Sequence, residues 1–157
     1  MKICSHGALI DHILKKGPFK DENLLKHLLL QICKALDAVH TTASHSHLDI
    51  KTENILIGDD YLLKLSDFGF AHPILDDITK KYGTEGYQAP EILSNKPYKG
   101  VQADIFSLAV VFFIMKFGNI PFGEALPKDD YYKLYLKNPS LFWRCHPTIR
   151  KFKETID

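Results

Sequence analysis

Two acidic clusters hold the residue types and spacing from which chemistry could be built: His47-Leu48-Asp49-Ile50-Lys51-Thr52-Glu53-Asn54 and Asp67-Phe68-Gly69. Between them lie two short apolar runs, Ile55-Leu56-Ile57 and residues 61–65, separated by Gly58-Asp59-Asp60, a pattern that predicts a hairpin. A hairpin returns the chain to where it started, so Asp49, Asn54 and Asp67 can converge on one pocket. That pocket would hold a carboxylate able to orient a hydroxyl and two oxygen ligands for a hard cation. Mg²⁺ suits it best, because Mg²⁺ takes few protein oxygens and completes its shell with phosphates and water. Lys51 adds a positive charge nearby. This is the inventory of phosphoryl transfer, whose catalysis is mainly positioning and charge neutralisation. Taken singly, Asp49, Asn54 and Asp67 each read as turn residues capping loops, and Lys51 as a solvated surface lysine.

The elements that must position these residues are mostly helical. Over residues 21–40, Leu24, Leu25, Leu28, Leu29, Ile32, Leu36 and Val39 recur at the spacings of one helix face, with Asp21 as N-cap. A shorter helix precedes it, with Leu9, Ile10, Ile13 and Leu14 on its buried side and Gly17-Pro18 closing it. Residues 67–91 hold no periodicity, and so long an irregular stretch inside a compact domain is more often functional than accidental. Helical patterns return at 89–94, 102–117 and 129–137, with Pro121, Pro127, Pro139 and Pro147 punctuating the connections.

Composition narrows the partners. Of 157 residues, 45% are hydrophobic and 25% charged, which is ordinary for one globular domain. The net charge of +1 advertises neither nucleic acid nor an anionic surface. Cys4, Cys33 and Cys145 are far apart, odd in number and form no CxxC pair, which argues against a disulfide framework or a zinc knuckle and makes a reducing, cytoplasmic compartment the expectation. Residues 1–10 hold no apolar run fit for a signal peptide. The apolar stretch 105–117 contains Lys116 and falls short of the roughly 20 residues a bilayer needs, which predicts a buried core helix and no membrane span. His40, His45 and His47 match no zinc spacing. His47 reads as a packed core histidine and the other two as incidental.

The order of these motifs resembles that of the protein kinase family. HLDIKTEN is similar to the family's H-R-D-L-x-x-x-N catalytic loop, and DFG matches outright. Gly83-Thr84 through Tyr87 to Ala89-Pro90-Glu91 resembles its G-T-x-x-Y-x-A-P-E block. The segment VQADIFSLAVVFF looks like the central buried helix of the C-terminal lobe, and Pro121-Phe122 like the P-F after it. The resemblance implies an α+β fold, a mainly helical C-lobe with a short hairpin, as one partial kinase domain over residues 1–157. It makes Asp49 the catalytic base, Lys51 the contact to the transferred phosphate, and Asn54 and Asp67 the Mg²⁺ ligands. Lys51, Glu53, Asn54, Leu56 and Asp67 become the ATP-facing set, with Leu56 under the adenine. His47 and Phe68 would stack, Asp104 would hold the catalytic-loop backbone, Thr84 would bond near Asp49, and Tyr87 would pack. Lys51 and Gly83-Thr84 resemble the serine/threonine subclass, so the implied activity is transfer of the ATP γ-phosphoryl group to Ser/Thr hydroxyls of a protein substrate. The C-terminal half is most similar to the calcium/calmodulin-dependent type and its relatives.

Two departures shape further expectations. Leu48 stands where many members carry the arginine that receives a phosphorylated activation loop, so activity is expected to depend little on such phosphorylation. No G-x-G-x-x-G run or strand lysine precedes the catalytic loop, and neither Arg144 nor Arg150 stands where the partner of Glu91 is expected. The N-lobe and the C-terminal end are therefore expected to be missing. The competing reading is a catalytically incompetent, pseudokinase-like module that binds a protein.

Overall fold

A computed structural model describes residues 4–154. Helix α1 (Leu9–Lys16) is two turns long and buries Leu9 and Ile13, four residues apart on one face. Leu14, expected on that face, is one residue further round and points to solvent. Gly17 ends the helix at φ 80°, a left-handed conformation that a side chain would resist, and its N–H reaches the Ile13 carbonyl at 2.8 Å.

Asp21 caps α2 (Glu22–Thr41) as expected, its Oδ1 accepting the N–H groups of Asn23 at 2.8 Å and Leu24 at 3.0 Å. The packed stripe runs through Leu25, Leu28, Ile32 and Leu36. Leu24, expected in it, instead lines an open groove beside α1.

The hairpin consists of β2 (Ile55–Ile57) and β3 (Leu63–Leu65), paired antiparallel with Ile55 opposite Leu65; β1 (His45–Ser46) precedes it in the chain. The second strand is shorter than its apolar run because Tyr61 takes φ 58° in the turn, which Tyr61 N–H to Gly58 O and Gly58 N–H to Leu62 O close at 2.9 Å each. Backbone pairing fixes the irregular stretch after it at two of its contacts with the rest of the fold. Strand β4 (His72–Pro73) pairs with β1, and Ile78 exchanges two 2.9 Å backbone bonds with Tyr98.

Helix α3 (Pro90–Leu93) leads to α4 (Gly100–Phe117), apolar on every side. By length and mean hydropathy of 1.7 this helix could cross a membrane, but 56% of it is buried inside the fold, where it packs on α2 and β1. Gly100 is required at its start: a Cβ there would collide with the side chain of Ser46, which is itself fully buried. Asp129 caps α5 (Asp130–Lys137) by accepting the Tyr132 N–H at 2.9 Å.

Pro139 and Pro147, read as punctuation, each open a further helix, α6 (Pro139–Cys145) and α7 (Pro147–Glu154). A first-turn proline forfeits no intrahelical bond, so a breaker and a starter look alike in sequence. The main core joins α1, α2, the hairpin and α4. A second cluster holds Leu48, Ile78, Ala89, Ile92, Tyr98 and Ala103, and a third, Phe113, Phe142 and Ile149, fastens α6 and α7 to α4.

Candidate active site

The residues following β1 lead into a single 3₁₀ turn, Thr52–Asn54, and then directly into the hairpin. This places Asp49, Lys51 and Asn54 at the hairpin's entry and Asp67 at its exit. The two ends are tied together where the Asn54 carbonyl accepts both the N–H of Ser66 at 2.9 Å and its hydroxyl at 3.0 Å.

Asp49 is buried and its carboxylate is the hub. Thr84 donates its hydroxyl to Oδ1 at 2.7 Å, Lys51 Nζ meets Oδ2 at 2.8 Å, and Asn54 Nδ2 donates to Oδ2 at 3.0 Å. Lys51 also donates to Thr84 Oγ1 at 2.8 Å, so Asp49, Lys51 and Thr84 close a triangle. Burial works to raise the Asp49 pKa, but the hydrogen bonds from Lys51, Thr84 and Asn54, with the charge of Lys51, outweigh it and hold the carboxyl below its ordinary value. A carboxylate has about four lone-pair sites, and Thr84, Lys51 and Asn54 fill three of them. One acceptor position, at Oδ1, is left for an incoming hydroxyl.

Asn54 directs its amide N–H groups at Asp49 Oδ2 and, at 2.9 Å, at the Asp49 carbonyl. Its amide oxygen is thereby turned away and stays unused by other described residues. Asp67, at φ 60°, accepts only the Gly69 N–H among the described residues, at 3.3 Å. Both are hard oxygen donors with capacity to spare, which fits Mg²⁺. Among the described residues no group of three or more His, Cys, Asp or Glu could hold a metal, so an ion here would draw the rest of its shell from phosphate and water.

Glu53, placed by sequence among the ATP-facing residues, is exposed and turned elsewhere: its Oε2 takes the Thr52 hydroxyl at 3.0 Å and the Tyr87 hydroxyl at 3.4 Å. Thr52 and Tyr87 are themselves 2.9 Å apart, and Tyr87 is packed in the core. Leu56 is half-buried on β2. The His47 ring is fully buried, donates from Nε2 to Ser66 O at 3.0 Å, accepts the Asp49 N–H at Nδ1, and lies 4.6 Å from the Phe68 ring.

Sequence reasoning missed His40. Its Nε2 meets Asp104 Oδ2 at 2.8 Å, so the residue read as incidental supports the carboxylate that anchors the loop. Its place one helical turn beyond Leu36, at the end of the buried stripe of α2, was the available signal. The three histidines do not converge, since His45 bonds the Ala43 carbonyl.

Residues 1–155 match the family model described as protein kinase domain. The chain is 35% identical over 161 residues to CBL-interacting serine/threonine-protein kinase 10 of Arabidopsis thaliana, covering 96% of this chain and 32% of that protein. It is 35% identical over 135 residues to testis-specific serine/threonine-protein kinase 5 of Mus musculus, covering 81% and 36%. With CBL-interacting serine/threonine-protein kinase 9 of Arabidopsis thaliana it shares 33% over 129 residues, 79% and 28%. The chain thus spans about a third of the length of these curated relatives.

Proposed function

This chain belongs to the protein kinase domain family, and from that premise we propose that it is the substrate-facing part of an enzyme that transfers the γ-phosphoryl group of ATP to serine or threonine hydroxyls of a protein. The observation that supports this best is the closed triangle of Asp49, Lys51 and Thr84. It holds a carboxylate ionised, fixed and one acceptor short of full.

In this reading the substrate hydroxyl donates to the vacant position on Asp49 Oδ1 and is aimed for attack. The low pKa of Asp49 makes it a weak base, which suits a loose transition state in which the hydroxyl proton leaves late. Lys51, anchored by Asp49 and Thr84, faces the transferred phosphoryl group and offsets its charge. Asn54 and Asp67 would hold Mg²⁺, which when bound supplies charge neutralisation at the phosphates. Leu56 presents apolar surface to the adenine. The three free cysteines favour a reducing, cytoplasmic setting.

The test is transfer of label from γ-labelled ATP to serine- and threonine-containing peptides by the complete polypeptide that carries this chain. Asp49→Ala and Asp67→Ala should each abolish transfer while leaving the thermal melt intact. A cellular role that survives Asp67→Ala unchanged would instead favour the protein-binding module.

A further inference from the structure

Phe70 lies near the start of the irregular stretch and Tyr82 well along it, yet their ring centroids are 5.3 Å apart. The ring of His72, on β4, meets the same tyrosine at 4.7 Å. The tilts of 39° and 50° and both spacings fall within the roughly 4.5–7 Å geometry of favourable ring pairs. Lys80 Nζ stands 5.3 Å from the Tyr82 centroid, within cation–π reach. His72 is itself fixed, because its Nδ1 donates to the Phe70 carbonyl at 2.7 Å and β4 pairs it with Ser46. Among the described residues no backbone hydrogen bond joins residues 70–73 to 82–84, so the rings carry this closure.

Each end of the closure leads to one half of the site. On the Phe70 side, Asp67 accepts the Gly69 N–H at 3.3 Å and the Ala71 N–H reaches the Phe68 carbonyl at 3.1 Å, a tight run that passes a shift of Phe70 on to Asp67. On the other side Tyr82 leads through Gly83 to Thr84, the donor to Asp49. Gly83 takes φ 93° and lies so close to the chain before Asp49 that a Cβ there would stand 3.0 Å from the Leu48 carbonyl. Gln88 steadies this backbone by donating to the Tyr82 carbonyl at 3.0 Å. The Tyr82 hydroxyl makes no hydrogen bond among the described residues, so the ring is what the residue contributes.

We propose that Tyr82 is a positioning residue for the transfer reaction: its ring, packed on Phe70 and His72, ties the metal-binding side at Asp67 to the hydroxyl-orienting side at Thr84 and Asp49. What the tie is for rests on the phosphotransfer reading, whereas the tie itself rests on the ring contacts. Phosphoryl transfer needs both sides in register at once, since its rate depends chiefly on alignment. A ring that touches the run after Asp67 and immediately precedes Gly83-Thr84 makes the two sides move together. The competing role is packing alone, because Tyr82 also leans on the cluster of Leu48, Ile78 and Tyr98.

The test compares Tyr82→Ala, Tyr82→Phe, Phe70→Ala and the double alanine variant in the complete polypeptide that carries this chain. Hydrogen–deuterium exchange is measured first, without metal or nucleotide. Tyr82→Ala should raise exchange in residues 67–72 and 82–85 together and leave α2 and α4 unchanged, while Tyr82→Phe should match the wild type. In transfer from γ-labelled ATP to a serine peptide, Tyr82→Ala should lower kcat/KM about thirtyfold. It should also raise the Mg²⁺ concentration for half-maximal rate several-fold, a shift that loss of folded protein does not produce. The double variant should lose no more than about twofold beyond Tyr82→Ala, because residues that act as one contact are not additive. Faster exchange confined to 82–85, faster exchange throughout the core, or an unmoved Mg²⁺ midpoint overturns the proposal. Coupled exchange in Tyr82→Ala with no transfer by the wild type would strike the phosphotransfer reading and keep Tyr82 as the tie between the two segments.

Discussion

Asp104 reaches from α4 to accept the Leu48 N–H at 2.7 Å, anchoring a residue whose φ of 65° is left-handed and costly for a leucine. The same carboxylate accepts the His47 N–H at 2.7 Å and meets His40 at 2.8 Å. The strained turn immediately before Asp49 is therefore held by a buried acceptor rather than by its own local preference. Asp104→Ala should leave two buried N–H groups and His40 without their partner and lower stability by roughly 2–5 kcal/mol, measured by urea unfolding. Loss below about 1 kcal/mol would mean that the turn holds itself.

Much of this architecture was legible because it rests on local signals. Asp21 announces itself as a cap, and Gly58-Asp59-Asp60 between two apolar runs announces the hairpin. What was not legible is long-range or degenerate. The two-residue strands His45–Ser46 and His72–Pro73 are too short to show a period, and Pro139 and Pro147 carry the same letter whether they stop a helix or start one. Leu14 and Leu24 belong to apolar patterns yet face outward, because a spacing of one or four fits more than one face of a helix. At the site, residue types and order pointed to Asp49, Asn54 and Asp67. The direction in which Glu53 turns, and the support from His40, depend on where Tyr87 and Asp104 arrive in space.

Thr84 has its hydroxyl on Asp49 and its oxygen on Lys51, so it acts by positioning. Thr84→Val keeps the shape and removes both bonds. In the complete protein, kcat/KM for the proposed transfer should fall by about 10–100-fold, as expected when a reacting group loses its alignment. The sign of the pH effect follows from the same bond. A donor that stabilises the ionised carboxylate holds the Asp49 pKa down, so its loss raises that pKa and moves the acid limb of the pH–rate profile to higher pH. Thr84→Ser should restore both. An unchanged acid limb in the valine variant would remove Thr84 from the mechanism.

Leu48 sits 4% exposed in the cluster of Ile78, Ala89, Ile92, Tyr98 and Ala103, while Thr79 next to Ile78 is exposed. The segment around Thr79 is held by the backbone pair between Ile78 and Tyr98 and by apolar packing on Leu48. Thr79→Ala and Thr79→Asp should both stay near wild-type activity in the complete protein. Inactivity of the alanine variant with recovery in the aspartate variant would show a phosphate-dependent switch after all. Leu48→Arg should not create such a switch, because it buries an unpaired guanidinium. It should destabilise the fold by about 3 kcal/mol.

His146 is the remaining buried ionisable group with an unmet need. It is 4% exposed and enclosed by the rings of Phe113, Phe142 and Tyr131; Nε2 donates to the Pro121 carbonyl at 2.7 Å, and Nδ1 has no partner among the described residues. Burial pushes its pKa down, and the bond to Pro121 only partly offsets this. A histidine depressed in the folded state binds its proton more readily when unfolded, so the stability linked to it is full above the unfolded pKa of about 6.5. That stability is lost as pH falls from there through the lower folded value. His146→Gln keeps a donor for Pro121 but cannot charge. Urea midpoints at pH 7.5 and 5.5 should therefore fall further for the wild type than for the variant, by a double difference on the order of 1 kcal/mol. Parallel losses in the two proteins would show that protonation of His146 is accommodated without cost, and that the aromatic enclosure opens to water as the pH drops.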